Sequence, residues 1–286
     1  MEHSARFGEV RSILARPASQ ETFEALCACL GDGPIDEGIL TYAGDLLDRW
    51  PDDIARALPA SFDLKADVRA LCNTLRLQAT PQQREAFVLE LHEGATLARL
   101  QTLNMSGADV GFLDQLLATQ GLPNLQTLLL RLCSLSVSGQ PIVFDARWPC
   151  LRTVNLESSP LSAPVLDAMG QSGLLDHVEH LNLGECDLEE DLVLQLLSVL
   201  PQEARLKSLD LSRNVLTVDD LHDIMRHPAM STLTSLELRD NSFDPEECQL
   251  LLMGGKPEDW TLPDPLFRQV LWAFEASFFA YEDEWE

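Results

Sequence analysis

The residue types in this chain best able to do chemistry are histidines, cysteines and a dense set of carboxylates. His177 and His180 bracket Glu179, a grouping that could offer imidazole nitrogens and a carboxylate to a metal ion. Two imidazoles in a loop with no third committed ligand more often mark exposed polar positions, and the reading here is no metal. Cys27-Ala28-Cys29 fails on geometry. Placed on a helix, the two thiols point about 200° apart and cannot share one small site. There is no Gly-rich phosphate loop, nucleophile elbow or zinc-protease signature. The sequence nominates no catalytic, cofactor-binding or metal-binding residue, so the expectation is a protein that is not an enzyme and needs no cofactor.

The elements that would position any site repeat. Against LxxLxLxxNxL, seven segments align, starting at Cys72 (CNTLRLQATPQ), Leu100 (LQTLNMSGADV), Leu125 (LQTLLLRLCSL), Leu151 (LRTVNLESSPL), Val178 (VEHLNLGECDL), Leu206 (LKSLDLSRNVL) and Leu233 (LTSLELRDNSF). Successive starts lie 25 to 28 residues apart, and a near-constant period of this size marks a stacked repeat. In the Leu206 copy, Leu209 and Leu211 alternate with Ser208, Asp210 and Ser212, which makes a short strand with one apolar face. A helical pattern follows. One strand and helix cannot bury its apolar side alone, whereas stacked neighbours share a continuous core. At the ninth position Asn214 and Asn241 can hydrogen-bond turn groups that would otherwise be buried unpaired, and Cys133 and Cys186 fit the same slot as compact buried residues. Helix starts recur at one phase: Thr80-Pro-Gln-Gln, Thr217-Val-Asp-Asp and Asp244-Pro-Glu-Glu each place a capping oxygen ahead of an acidic or amide residue.

These segments resemble the leucine-rich repeat. The long period, with Cys and Asn sharing the ninth position, is similar to its ribonuclease-inhibitor-like subclass. The resemblance implies an α/β fold: a right-handed β/α solenoid with a parallel sheet on the concave face, helices on the convex face and helical caps at both ends. It also implies two functional precedents, an acidic inhibitor that wraps a basic enzyme and a regulator that activates a small GTPase. Neither transfers residue by residue, because the shared motif covers the scaffold and not the contacts.

Composition narrows the class. The formal net charge of −26 over 286 residues argues against nucleic acid, whose phosphates draw affinity from Lys and Arg. It permits, without demanding, a basic protein partner, and solubility of a long solenoid explains it equally well. No apolar run reaches membrane-spanning length, and MEHSARFGEVRS lacks the basic-then-apolar order of a signal peptide. The seven cysteines are odd in number and scattered, so a disulfide framework is not expected and a reducing, cytoplasmic setting is.

Three regions follow: a helical N-terminal cap over 1–67, seven repeats over 68–261 and an aromatic, acidic capping helix over 262–286. In the first, Phe7, Val10, Ile13 and Leu14 form one stripe; Phe23, Leu26, Cys27 and Leu30 follow Ser19 as N-cap; Ile39, Leu40, Ala43, Leu46, Leu47 and Trp50 form a third. TYAGDLLDRWPDD resembles, more distantly, a bacterial repeat-companion domain, and an independent binding module is the alternative to a cap. Between the third and fourth strands GQPIVFDARWP reads as extended or a single helical turn. At the C-terminus, Phe267, Val270, Leu271, Phe274 and Phe278 follow helical spacing. Phe279 to Glu286 is either part of that cap or a docking peptide.

Strand alternation assigns three rows to the concave face. The first is Thr74, Thr102, Thr127, Thr153, His180, Ser208 and Ser235. The second is Arg76, Asn104, Leu129, Asn155, Asn182, Asp210 and Glu237. The third is Gln78, Ser106, Arg131, Glu157, Gly184, Ser212 and Arg239. Arg76, Arg131 and Arg239 balance Glu157, Asp210 and Glu237, so the face is near neutral. The acid clusters Glu189-Glu190-Asp191, Asp219-Asp220 and Asp244 with Glu246-Glu247 fall at helix N-terminal edges, where helix dipoles favour them; a binding rim is the added hypothesis. The residues nominated for protein contact are Arg131, Glu157, His180, Asp210, Arg213, Glu237, Arg239 and Asp240, with Glu189, Glu190 and Asp191 on the rim. The functional expectation is a non-enzymatic adaptor or inhibitor, monomeric alone, with no nucleic acid or membrane partner. A GTPase regulator or a self-assembling structural protein is the alternative.

Overall fold

The computed structural model describes residues 2–31, 36–51, 54, 56–57, 68, 71–76, 99–108, 122–137, 140–141, 148–202, 205–244, 246–248, 255–268 and 270. It is an α/β protein built on one seven-stranded, all-parallel sheet. The strands are β1 (Thr74–Arg76), β2 (Thr102–Asn104), β3 (Thr127–Leu129), β6 (Thr153–Asn155), β7 (His180–Asn182), β8 (Ser208–Asp210) and β9 (Ser235–Glu237), hydrogen-bonded in that order. All seven coincide with the leucine-patterned segments. Of the segment GQPIVFDARWP, expected to be extended or a single helical turn, Gln140–Pro141 forms β5, which pairs antiparallel with β4 (Ser136–Val137) just before the segment; residues 142–147 lie outside the described set, as do Thr80, residues 59–67 and the tail beyond 270.

The chain divides into two compact units. The first comprises residues 1–105, 119–128 and 147–150. Its helices are α1 (Glu2–Leu14), α2 (Gln20–Gly31) and α3 (Glu37–Leu47). Ser19 accepts from Thr22 N–H at 3.2 Å ahead of α2, the cap its position suggested, and Asp36 accepts from Gly38 and Ile39 N–H ahead of α3. At the other end of α2, the Arg6 guanidinium donates to the carbonyls of Cys29 and Leu30, both at 2.8 Å, satisfying groups a helix C-terminus leaves without partners. The three apolar stripes meet. Val10, Ile13, Phe23, Leu26, Cys27, Leu30, Ile39, Ala43 and Leu47 share one core with Val68, Leu71 and Cys72 at the entry to β1. Ala57 extends the sheet by a parallel bridge to Thr74, and Asn73 binds that segment through Arg56 N–H and the Ile54 carbonyl.

The second unit comprises residues 106–118, 129–146 and 151–286. Its helices are α4 (Ala163–Gln171), α5 (Glu190–Val199) and α6 (Val218–Arg226), each following one strand. Thr217 and Asp220 form the full capping box that the Thr217-Val-Asp-Asp spacing indicated.

Each turn repeats the same backbone bonds. The N–H groups of Glu179 and His180 share the Arg152 carbonyl, those of Lys207 and Ser208 share Glu179, and those of Thr234 and Ser235 share Lys207. The eighth repeat position is left-handed in every described copy after the first: Gly107, Leu132, Ser158, Glu185, Arg213 and Asp240 have φ between 54° and 73°. That conformation swings the chain off the strand and aims the ninth side chain inward. There Asn214 accepts from Cys186 and Leu188 N–H, both at 3.0 Å, and donates to the carbonyls of Leu183 and Leu211, both at 2.9 Å. Asn241 accepts from Asn214 and Leu216 N–H in the same way. Cys186 donates its thiol to the Leu156 carbonyl at 3.2 Å, and burial pushes that thiol up to about 12. Ser159, which the pattern did not single out, fills the slot in the fourth copy, accepting from Cys133 N–H and donating to the Leu130 carbonyl.

Candidate functional site

The alternation places one set of side chains inside and another outside. Leu75, Leu103, Leu128, Val154, Leu181 and Leu209 are buried at the strand centres. Their neighbours face outward in rows: Thr153, His180, Ser208 and Ser235 are in register, and so are Asn155, Asn182, Asp210 and Glu237. His180 is exposed and its ring makes no hydrogen bond or ion pair among the described residues.

The second row turns back on its own backbone. Asn155 Oδ1 accepts from Glu157 N–H and Asn182 Oδ1 from Gly184 N–H, each at 2.9 Å. Asp210 does the same, taking Ser212 N–H at 3.0 Å and Ser212 Oγ–H at 2.6 Å. These are Asx turns that prepare the left-handed residue. Asp210, nominated for partner contact, therefore spends one carboxylate oxygen on the turn. Glu237, next in the row, makes no such bond among the described residues and is exposed.

The nominated charges at the strand C-terminal ends are brought together. Arg131 pairs with Glu157 through Nε at 3.0 Å and Nη2 at 3.0 Å. Arg213 reaches Glu157 at 4.0 Å, Glu185 at 3.8 Å and Asp240 at 3.9 Å, so one guanidinium spans carboxylates from three other copies of the repeat. Glu185, further tied to Ser158 Oγ–H at 2.8 Å, was not foreseen; only the left-handed turn reveals that eighth-position side chains gather along one line. Half-exposed pairs of this sort contribute about 0–1 kcal/mol each, so their main effect is to orient side chains. Arg239 is exposed and unpaired among the described residues. Leu132 also stands out: it is 67% exposed in a left-handed conformation that costs an L-residue about 1–2 kcal/mol.

A second ladder lies at the strand N-terminal ends. Glu179 pairs with Lys207 at 2.5 Å and Arg152 at 3.4 Å, and the hydrogen bond from Lys207 lowers its pKa. Its carboxylate is thus held between cations from two other copies. Among the described residues no three His, Cys, Asp or Glu side chains are arranged to hold a metal ion.

The acid rim is thinner than the sequence suggested. Asp220 is only 4% exposed, its carboxylate taking the N–H and Oγ–H of Thr217, so it belongs to the helix start. Glu189 is the exposed N-cap residue of α5, with no side-chain cap bond; Asp191 is exposed, and Glu190 opens the helix with its side chain outside the described set. Asp244 accepts from Glu247 N–H at 3.1 Å. On α6, Asp219, His222, Asp223 and Arg226 line an open depression of about 320 Å³. Trp260 closes against this helix, donating its indole N–H to His222 Nδ1 at 3.2 Å, and Thr261 Oγ–H binds the carbonyls of Met225 and His227.

All seven cysteines are free thiols, and only Cys150 is less than fully buried. No helix among the described residues is long and apolar enough to cross a membrane. No known protein family matches this chain, and no curated protein matches it.

Proposed function

We propose that the chain is a leucine-rich-repeat solenoid of the ribonuclease-inhibitor-like kind, capped by helices over 1–67 and by 262–286. Its work is to bind another protein, without catalysis, as a cytoplasmic adaptor or inhibitor. The carrying observation is that the outward sheet face presents side chains the fold leaves unused: His180, Glu237 and Arg239 are exposed and make no hydrogen bond or ion pair among the described residues. Around them, Arg131, Glu157, Arg213 and Asp240 are held in place by ion pairs, a pre-ordered polar surface that loses little entropy on contact. The formal charge of −26 favours a basic partner, with exposed Glu189 and Asp191 steering its approach.

The test is affinity capture from native lysate at low and high salt, comparing the wild-type chain with a His180→Arg/Ser208→Arg variant. Both substitutions sit mid-face, outside the buried core. A polypeptide captured by wild type, lost with the variant and released by salt is the expected result. Equal capture by the variant would remove the sheet face from the binding site.

A further inference from the structure

Among the described residues β9 is the last strand of the sheet, hydrogen-bonded to β8 alone, and its backbone breaks the pattern of the described turns before it. In those turns the sixth-position N–H donates to the fifth-position carbonyl of the next copy: Leu130 to Asn155, Leu156 to Asn182, Leu183 to Asp210 and Leu211 to Glu237. The eighth position does likewise, Leu132 to Glu157, Ser158 to Gly184, Glu185 to Ser212 and Arg213 to Arg239. The corresponding donors of the last copy, Leu238 N–H and Asp240 N–H, have no acceptor among the described residues. The Thr234 carbonyl is equally open, although Arg152, Glu179 and Lys207 each accept two N–H groups at that position. Leu236, at the centre of β9, is only half-buried, where the other six strand centres are buried.

An edge strand with backbone groups left without partners among the described residues invites another strand, and two side chains state which strand fits. Glu237 and Arg239 are exposed, lie two residues apart on the same side, and have no ion pair among the described residues. We propose that β9 is a homodimer interface, a second copy of this chain adding antiparallel about a twofold axis at Leu238. In that register Glu237 of each copy faces Arg239 of the other, in close cross-strand pairs. Leu238 N–H meets the Leu238 carbonyl of the second copy twice, and Asp240 N–H meets the Leu236 carbonyl. The Leu238 carbonyl already accepts from Asn241 Nδ2 at 2.7 Å, and its second lone pair is free for this bond. Shifting the axis to Leu236 would set Glu237 against Ser235, so charge selects one register. The contact is isologous and closes at two copies.

Two chains of charge −26 repel at low ionic strength, and that repulsion is screened beyond about 8 Å in physiological salt. Self-association therefore strengthens as salt rises from low values, the opposite of the behaviour expected for a basic partner. The test is sedimentation equilibrium of the full chain across the micromolar range in physiological salt, for wild type, Glu237→Arg, Arg239→Glu and the double reversal. Wild type should rise with concentration from 31.8 kDa towards twice that mass. Each single reversal places like charges opposite one another and should hold the chain at one copy; the double reversal should restore the dimer, which also shows that the variants fold. A wild-type mass of one copy throughout, an assembly larger than two, single reversals that leave the dimer intact, or a double reversal as monomeric as the singles would each overturn the proposal.

Discussion

Replacing Asn214 with alanine removes the most connected side chain among the described residues of the second unit. The side chain is 7% exposed, and its amide bridges two neighbouring copies of the repeat. Without it the N–H groups of Cys186 and Leu188 and the carbonyl of Leu183 lose their side-chain partner, whereas the Leu211 carbonyl keeps Asn241 Nδ2 at 3.0 Å. Each buried polar group left alone costs about 1–3 kcal/mol. Three of them, eased by relaxation and water entry, bring the loss to about 3–5 kcal/mol, the top of the range for one substitution. At about 2–4 °C per kcal/mol for a domain of this size, calorimetry should show the melting temperature falling by roughly 6–20 °C. Asn214→Cys should recover about half of that on the same scale, because the Cys186 thiol already donates to the equivalent carbonyl but cannot replace the amide oxygen as acceptor. Ser159→Ala, which removes one accepted and one donated bond, should cost less than Asn214→Ala. A fall of under about 3 °C for Asn214→Ala, on that same conversion, would refute the idea that this slot ties the turns together.

Further outcomes follow from single sites. Leu132→Asn places a residue that tolerates φ of 54° where an exposed leucine gains nothing from burial; urea denaturation should show a stabilisation of about 1 kcal/mol, and a loss would mean the leucine packs. Gly170→Ala sets helix propensity, about 1 kcal/mol in its favour, against a methyl group meeting Val199 Cβ and Cγ1 at 2.8 Å. Overpacking of about 1–3 kcal/mol should win, and an unchanged melting temperature would show that α4 and α5 do not approach so closely. His227 accepts from Ala229 N–H through Nδ1 at 3.3 Å, and burial lowers its pKa. The folded state thus binds fewer protons, so this contribution is complete above the ordinary histidine range and is lost as pH falls through it. Melting temperature should drop between about pH 7 and 5 more steeply for wild type than for His227→Asn; parallel curves would contradict the assignment.

The sequence announced what depends on period and alternation. Leu75, Leu103, Leu128, Val154, Leu181 and Leu209 are buried where the pattern put them, and Thr217 with Asp220 forms the cap its spacing implied. Side-chain roles set by the turn were harder to read. Asp210 looked like a contact residue because its row faces outward, yet an aspartate there can fold back onto Ser212 N–H. Asp220 looked like rim acid, although a third-position capping carboxylate is drawn inward by the N–H it satisfies. The bridging by Arg213 depends on φ of 56° at its own residue, a conformation that residue type alone does not disclose. Ser159 is not marked by the pattern, because serine is neither of the two residue types that define the ninth slot, although its hydroxyl makes equivalent bonds.

That consecutive copies lie side by side with one outward row in register can be tested by thiol bridging. His180, Ser208 and Ser235 occupy that row on three neighbouring strands, spaced about 4.8 Å per strand. Dibromobimane, which fluoresces when it bridges two adjacent thiols, should light up His180→Cys/Ser208→Cys and Ser208→Cys/Ser235→Cys. His180→Cys/Ser235→Cys, two strands apart, should stay dark. Equal signal from all three pairs, or none from the neighbouring ones, would contradict the parallel, in-register sheet on which the proposed surface rests.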